Sequence, residues 1–158
     1  MITLGIDPGT HTTGYGLVTK TSRDPQHIDN GLIIPTKKNL LPERLKQIYH
    51  QVCRLITQFK PDAIALEDVF VAKNVRSSLT LGHARGVVML AAAEQNVPVY
   101  EYSPAEVKQA IVGFGQASKE QVQKMVQIHL KLKEIAAEDA SDALAVALCH
   151  CQKKRYAQ

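Results

Sequence analysis

The stretch ITLGIDPGTHTTGYGLVT, residues 2–19, decides the fold that we predict for this chain of 158 residues. Ile2–Asp7 is a short apolar segment that ends at Pro8-Gly9, a pattern typical of a buried strand followed by a turn. Residues 13–19 and 28–35 predict two further strands. Because the connections between these three segments are too short to contain helices, we expect an antiparallel meander.

The next part of the chain predicts a crossover between parallel strands. A helix is expected from about Pro42, which suits a first turn, because the apolar side chains that follow fall on one face at helical spacing. These side chains are Leu45, Ile48, Val52, Leu55, Ile56 and Phe59. Pro61-Asp62 ends this helix, and Ala63–Glu67 predicts a buried fourth strand. A helix between two strands of one sheet is a crossover unit, so we expect the first and fourth strands to be parallel neighbours.

The following predicted helix, at about residues 77–95, is apolar nearly all round. Its apolar residues are Leu79, Leu81, Ala84, Val87, Val88, Met89, Leu90 and Ala91 to Ala93. A helix with little polar surface is expected to be buried on both sides. Two interpretations remain open, a subunit interface and a central core helix.

One more strand and three more helices complete the prediction. Residues 97–102 predict the fifth strand, capping boxes begin at Ser103 and Ser118, and a last helix is expected at 138–152. The order βββ-α-β-α-β-ααα predicts an α/β domain whose five-stranded mixed sheet has three antiparallel strands and then two parallel ones, with helices on both faces. This is the element order of the ribonuclease H-like fold.

Composition and charge describe a single domain over residues 1–158. Nineteen Lys and Arg against 15 Asp and Glu give a net charge of +4, with a basic tail from about Lys153, which fits a polyanionic partner. The N-terminus lacks the pattern of a signal peptide, and no apolar segment has membrane-spanning length. Three cysteines, an odd number, indicate free thiols in a reducing compartment. We therefore expect a cytoplasmic protein that does not bind membranes.

Four carboxylates are the candidate catalytic residues. Asp7 ends the first predicted strand and Glu67 ends the fourth, and α/β folds bind ligands at such strand ends. Asp139 and Asp142 are three residues apart, so they share one face of the last helix. Their negative charges repel each other, and a nearby cation would offset this repulsion. Hard oxygen ligands without His or Cys beside them select Mg²⁺ or Mn²⁺ over zinc.

Each of these acids also has a structural interpretation. Asp7 before Pro8-Gly9 is suited to capping a turn, and Asp139 and Asp142 are suited to a helix N-terminus. Glu67 fits this interpretation less well, because an unpaired acid after an apolar strand is costly to bury. Together the four acids predict a binding site for divalent metal ions, and two such ions about 4 Å apart can activate water and stabilise the leaving oxygen of a phosphodiester. The residues alone do not specify which reaction the site performs.

A basic and aromatic segment follows Glu67. Phe70 is flanked by Lys73 and Arg76, and this combination favours nucleic-acid binding, in which the aromatic ring stacks on a base. Because the neighbours of Phe70 in the sequence, Val69, Val71 and Ala72, are apolar, the sequence alone favours a hydrophobic lid over base stacking for this ring.

Five blocks across the chain carry a specific resemblance. They are GIDPGT (5–10) followed by TGYG (13–16), ALEDVFVAKN (65–74), LGHARG (81–86), VKQAIVG (107–113) and DASDALA (139–145). In this order they resemble the RuvC-type crossover junction endodeoxyribonucleases. The opening Asp-x-Gly-Thr alone is not specific, whereas the five blocks together are.

The resemblance implies a homodimeric endodeoxyribonuclease that resolves four-way Holliday junctions by paired symmetric nicks during homologous recombination and DNA repair. It implies two Mg²⁺ ions in each active site, with Mn²⁺ as a substitute, and products with 5′-phosphate and 3′-hydroxyl ends. It also implies a partner, a branch-migration motor of the RuvA and RuvB type. Asp7, Glu67, Asp139 and Asp142 stand at the family's catalytic and metal-binding positions.

Basic and aromatic positions of the family are matched as well. Phe70 matches the aromatic residue that the family places against a base of the junction. Lys108 and Lys119 match basic residues near the scissile phosphate, and Lys119 is the candidate for stabilising charge during the reaction. With Lys73 and Arg76, these residues form the DNA-binding set that we expect.

Asp68 departs from the family pattern, because family members often carry an uncharged polar residue after the second catalytic acid. If the side chain of Glu67 points into the site, that of Asp68 should point away from it. Otherwise the identity of the ligand at this strand end is in doubt.

Two alternative enzyme classes share parts of the pattern. A ribosomal-RNA processing nuclease of the YqgF type has the same fold, but it typically carries Arg where Thr12 stands and lacks the long apolar helix. An actin-like ATP-binding phosphotransferase also has an Asp-x-Gly-Thr loop, but it needs two such domains. A purely architectural DNA-binding module would leave the strand-end acids facing a polyanion without purpose.

Overall fold

Five strands form one mixed sheet in the computed structural model, which describes residues 1–21, 24–68 and 75–153. The strands are β1 (Ile2–Asp7), β2 (Thr13–Lys20), β3 (Pro25–Ile33), β4 (Ala63–Glu67) and β5 (Val99–Tyr102). Their spatial order is β3-β2-β1-β4-β5. Strands β3, β2 and β1 pair antiparallel, whereas β1, β4 and β5 pair parallel. The predicted sheet is therefore confirmed.

Five helices accompany the sheet in the described residues. They are α1 (Leu41–Phe59), α2 (Val75–Glu94), α3 (Pro104–Val112), α4 (Lys119–Leu130) and α5 (Glu138–Lys153). Both predicted capping boxes form, because the hydroxyls of Ser103 and Ser118 each accept the backbone N–H three residues on. The predicted boundaries agree with the observed ones to within three residues. Helix α4 ends at Leu130 because Lys131 adopts a left-handed conformation, with φ of 53°, that caps the helix.

The helices cover both faces of the sheet and form two cores. On one face, Leu4, Ile6, Ile64 and Leu66 pack against α1 and α2. On the other face, Ala65 packs with α3, α4 and α5. Because side chains alternate along a strand, β4 contributes to both cores, whereas β1 contributes to the first core and meets α5 on the other face through Thr3 and Gly5.

The helix that is buried on both sides is α5, not α2. Every residue from Ala143 to Cys151 in α5 is buried, between the sheet and the helices α3 and α4. Helix α2 buries only one side, and it leaves Leu79 and Leu90 with 62% and 53% of their surface exposed. The interpretation of α2 as a central core helix is therefore wrong, because α5 occupies the centre. The subunit interface remains a prediction.

Three glycines allow α5 to lie directly on the sheet. A Cβ atom on Gly5 would lie 1.9 Å from the backbone oxygen of Ala143, and one on Gly14 would lie 2.0 Å from the backbone oxygen of Asp139. At Gly16 a Cβ would meet the side chain of Leu144 at 2.6 Å. No Cβ fits at such distances, so the absence of side chains at these positions sets how closely α5 approaches β1 and β2.

Candidate active site

The pairing of β1 with β4 places two acids side by side. The parallel register joins Ile6 to Leu66, so Asp7 and Glu67 follow at the same edge of the sheet. Both side chains are half-buried. This position agrees with the prediction that the two acids leave adjacent buried strands together.

Helix α5 brings the other two acids to the same edge. Gly14 pairs with Asp7 across the strands, and the backbone of Asp139 lies against Gly14. Asp142 is one helical turn further on and is half-buried. The first turn of α5 thus lies over the end of β1, and the close approach at the glycines determines this position.

Electrostatics show that the four acids act on one another. The pKa of Asp7 is raised to about 7, first by burial and then by the negative charges of Asp142, Asp139 and Glu67. The pKa of Glu67 is raised by burial and by Asp142. Burial likewise raises the pKa of Asp142, although its hydrogen bond with Lys119 opposes this shift. Raised pKa values of this kind mark a group of carboxylates whose ionised forms a cation would stabilise.

Lys119 is the cation that contacts this acidic group. It lies at the start of α4, and its Nζ is 3.0 Å from Asp142 Oδ2 and 2.5 Å from Glu138 Oε1. The two carboxylates raise the pKa of the Lys119 ammonium, so it stays charged. Lys108 on α3 also acts on the site, because its positive charge partly opposes the rise in the pKa of Glu67. Of the two predicted lysines, Lys119 contacts the acids directly and Lys108 acts through its charge.

Arg76 lies beside the loop that follows Asp7. With Gly9, Thr10 and Thr80 it lines an open cleft of about 350 Å³ between this loop and the first turns of α2. Phe70 and Lys73, the other two predicted DNA-binding residues of this segment, lie outside the described residues. Their predicted contacts with DNA stay predictions.

Asp68 points away from the acidic group. Its side chain is 57% exposed and its carboxylate lies 3.9 Å from the guanidinium of Arg85. Asp68 is also absent from the charges that shift the pKa of Asp7, Glu67 or Asp142. Its direction agrees with the expectation that neighbouring strand-end residues face opposite ways.

Two residues at the site were not predicted from the sequence. Glu138 shares Lys119 with Asp142, and Arg85 donates a hydrogen bond of 2.5 Å to the backbone oxygen of Glu67. Glu138 carries a weak signal, since it immediately precedes the Asp139 motif. Arg85 carries none besides its place in the block 81–86, because its partners lie in and just after other elements of the fold, which local sequence does not bring together.

The donor set fits a hard divalent cation. It consists of carboxylate oxygens, half-buried and mutually repelling, with no imidazole or thiolate in the group. Across residues 1–21, 24–68 and 75–153, no three acidic, histidine or cysteine side chains already converge as a ready-made metal cage. The acids are gathered and electrostatically coupled, with the ammonium of Lys119 in contact with Asp142.

A mixed sheet of this order, with acids at the ends of β1 and β4 and on the helix that crosses them, defines a nuclease of the ribonuclease H-like class. The model of the family named crossover junction endodeoxyribonuclease RuvC matches residues 3–150. The chain belongs to this family. Its membership decides against the rRNA-processing nuclease and the actin-like phosphotransferase.

Relatives and solved structures agree with this assignment. The crossover junction endodeoxyribonuclease RuvC of Syntrophotalea carbinolica is 56% identical over 147 residues, which are 93% of this chain and 91% of that protein. The same enzyme of Citrifermentans bemidjiense is 51% identical over 150 residues, 95% of this chain and 92% of that protein. The structure of T. thermophilus RuvC in complex with a Holliday junction substrate has a TM-score of 0.94 and 35% identity, and the match covers 99% of this chain and 96% of that one.

In the described part of the chain, no helix combines sufficient length with sufficient apolar character to cross a bilayer.

Proposed function

We propose that this chain resolves four-way DNA junctions by Mg²⁺-dependent hydrolysis of phosphodiester bonds. The observation that carries the proposal is the position of Asp7, Glu67, Asp139 and Asp142 at one edge of the sheet, where burial and mutual repulsion raise the pKa of Asp7 to about 7. The family name and the junction complex of the T. thermophilus relative support the choice of substrate.

The four acids would hold two Mg²⁺ ions in each site, with Mn²⁺ as a substitute. Bound there, the metal would supply an activated water and charge neutralisation at the leaving 3′ oxygen, and hydrolysis in this direction would leave 5′-phosphate and 3′-hydroxyl ends. The protein's own contribution is a rigid donor set. Asp7 and Glu67 are held by strand pairing, whereas Asp139 and Asp142 lie in the first turns of α5, which is anchored because every residue from Ala143 to Cys151 is buried.

Lys119 and Lys108 add positive charge beside the four acids, and this charge favours the approach of a DNA phosphate. Lys119 lies within 3.0 Å of Asp142, so it reaches a phosphate that approaches the same acids and stabilises the negative charge that develops on it. Lys108 of α3 adds a positive charge that favours the ionised form of Glu67. Arg76 beside the loop after β1 extends the positive surface along the DNA.

The test of this function compares two DNA substrates. With Mg²⁺ present, we expect a synthetic four-way junction to be cut at least roughly tenfold faster than a linear duplex of the same sequence, which corresponds to about 1.4 kcal/mol of transition-state stabilisation. Chelation should stop the cleavage, and added Mg²⁺ or Mn²⁺ should restore it. Equal cutting of both substrates, or cutting that persists in chelator, contradicts the proposal.

The proposed enzyme acts as a homodimer, and the exposed side of α2 is the surface that supports this. Leu79, Gly82, Gly86 and Leu90 are three or four residues apart, so they share one helix face, and all four are exposed. A Cβ at Gly82 or Gly86 would meet open space, so this face is flat enough for another helix to approach closely. An apolar face of this kind is typical of an interface. Two copies joined here would present two sites for paired nicks.

A charge on this face should separate the dimer. Leu90→Lys is expected to raise the dissociation constant of the dimer at least roughly tenfold, about 1.4 kcal/mol, because an ammonium would be buried without a partner. Sedimentation over a concentration series measures this. Ile128→Lys is the matched control, because Ile128 on α4 is 56% exposed and Leu90 is 53% exposed. A dimer that is weakened equally by both changes, or by neither, contradicts the assigned face.

Family membership also supports a proposal for the remaining partners and for the cellular location. We propose that a branch-migration motor of the RuvA and RuvB type delivers the junction, and that the enzyme works in the cytoplasm. The free cysteines support a reducing compartment: Cys149 and Cys151 are buried, Cys53 is half-buried, and none of the three forms a disulfide within the described residues.

A further inference from the structure

We infer that Arg85 of α2 is a positioning residue for Glu67. It acts by holding the peptide group between Glu67 and Asp68. The inference rests on the proposed metal site, of which Glu67 is one acid. The side chain of Arg85 is only 12% exposed, and an arginine is rarely so buried unless its guanidinium is paired. Its partners therefore indicate what it does.

The guanidinium of Arg85 joins three elements. Nη1 donates a hydrogen bond of 2.5 Å to the backbone oxygen of Glu67 at the end of β4. Nη2 forms an ion pair with Glu101 of β5 and lies 3.9 Å from Asp68. The planar fork of an arginine makes such divergent contacts at once, which a lysine cannot do.

The peptide group after Glu67 is held at both of its polar atoms. Its carbonyl oxygen accepts from Arg85, and its N–H, that of Asp68, donates to the backbone oxygen of Tyr102 at 2.7 Å. This peptide lies at the end of β4. The pairing of β4 with β1 ends at Leu66 and Ile6, so β1 does not hold this peptide. Arg85 thus replaces the strand pairing that ends at this point.

Fixing this peptide determines which way two acids point. Side chains alternate along an extended chain, so a fixed peptide keeps Glu67 directed at the acidic group and Asp68 directed at solvent and Arg85. If the peptide rotates, Glu67 leaves the group and the exposed Asp68 is no longer kept away from it. Substituting a residue that orients a metal ligand by hydrogen bonding typically lowers metal affinity 10- to 100-fold.

The test uses Arg85→Met in the full chain and measures two properties without DNA cleavage. Titration calorimetry with Mn²⁺ should show binding weakened by roughly tenfold or more. Hydrogen exchange should show the amide of Asp68 exchanging roughly tenfold faster, because its peptide is released on one side. Arg85→Lys keeps the positive charge but lacks the planar guanidinium. Its Mn²⁺ affinity and its Asp68 exchange rate should therefore lie between those of the parent and of Arg85→Met.

Lys20→Met is the matched control. Nζ of Lys20 donates to the backbone oxygen of Cys151 at 2.6 Å, so it too is a cation on a backbone carbonyl, and Thr19 beside it pairs with Ile2 at the opposite end of β1 from Asp7. We expect Lys20→Met to change thermal stability but neither Mn²⁺ binding nor the exchange of Asp68. A role that is only structural would make the two variants behave alike.

Each outcome decides the inference. Unchanged Mn²⁺ affinity with unchanged Asp68 exchange in folded Arg85→Met overturns it. If Arg85→Met does not fold, Glu101→Gln decides instead, because it removes the anchor of the guanidinium and should shift both readouts in the same direction. If the unaltered chain binds no Mn²⁺, the proposed metal site fails, and Asp68 exchange still tests the role of Arg85 separately.

Discussion

Replacing Asp7 by Asn is expected to lower the rate of junction cleavage by roughly a thousandfold or more. A ligand carboxylate that becomes an amide loses its charge toward the metal, and the metal's charge stabilisation is worth several kcal/mol in the transition state. A loss of about 4 kcal/mol corresponds to about a thousandfold in rate. Single-turnover cleavage of a four-way junction in Mg²⁺ measures it.

Measurements of stability and of junction binding distinguish a loss of catalysis in Asp7→Asn from unfolding of the variant. Asp7→Asn removes a buried and repelled charge, since burial and three neighbouring acids raise the pKa of Asp7. We therefore expect the variant to be at least as stable as the parent and to bind the junction undiminished in chelator.

Asp68→Asn is the matched control for Asp7→Asn. It also replaces a carboxylate by an amide, and it does so at the residue that follows Glu67. The side chain of Asp68 is 57% exposed and faces Arg85. We expect its cleavage rate to stay within roughly twofold of the parent, as for most exposed substitutions. Full activity in Asp7→Asn, or equal losses in both variants, would remove Asp7 from the proposed metal site.

Replacing Gly14 by Ala is expected to impair both folding and cleavage. The added Cβ would lie 2.0 Å from the backbone oxygen of Asp139 and 2.2 Å from its carbonyl carbon. Backbone cannot swing aside as a side chain does, so α5 must shift away from the sheet. Overpacking of this kind costs about 1–3 kcal/mol and occasionally more. The shift also carries Asp139 and Asp142 away from Asp7.

Two measurements test this prediction together. Urea unfolding should show the lost stability, and cleavage at saturating junction should fall even where the variant is fully folded. Gly115→Ala is the control, because its Cβ would meet nothing closer than 3.6 Å, which is ordinary contact. If Gly14→Ala keeps the stability and rate of the parent, α5 is not held at the sheet by this contact.

Much of the fold follows from local sequence. Ile2–Asp7 and Ala63–Glu67 are apolar segments ending in an acid, so both the strands and the edge where their acids meet were predictable. The capping boxes at Ser103 and Ser118 were also predictable, because each is formed by residues three apart. The family blocks added the identity of the enzyme, since they carry the four acids and Lys108 in order.

The burial of the helices was harder to predict from sequence. Helix α2 has the more continuous apolar sequence, yet α5 is the one enclosed on all sides. Apolar periodicity reports which faces avoid water, but it does not report whether the chain itself or a second copy covers them. The exposed Leu79 and Leu90 on α2 are the consequence, and the proposed dimer accounts for them.

The sequence by itself determined the kinds of residues at the site: four acids at strand ends and on one helix face, with two lysines near them. Only the tertiary structure decided how these residues meet. Gly14 sets the approach of α5, Lys119 takes Glu138 and Asp142 as partners, and Arg85 holds the peptide after Glu67. The physical reason is that these contacts join residues far apart in the chain, whose distances depend on the packing of the whole domain. Local propensity carries no information about such distances.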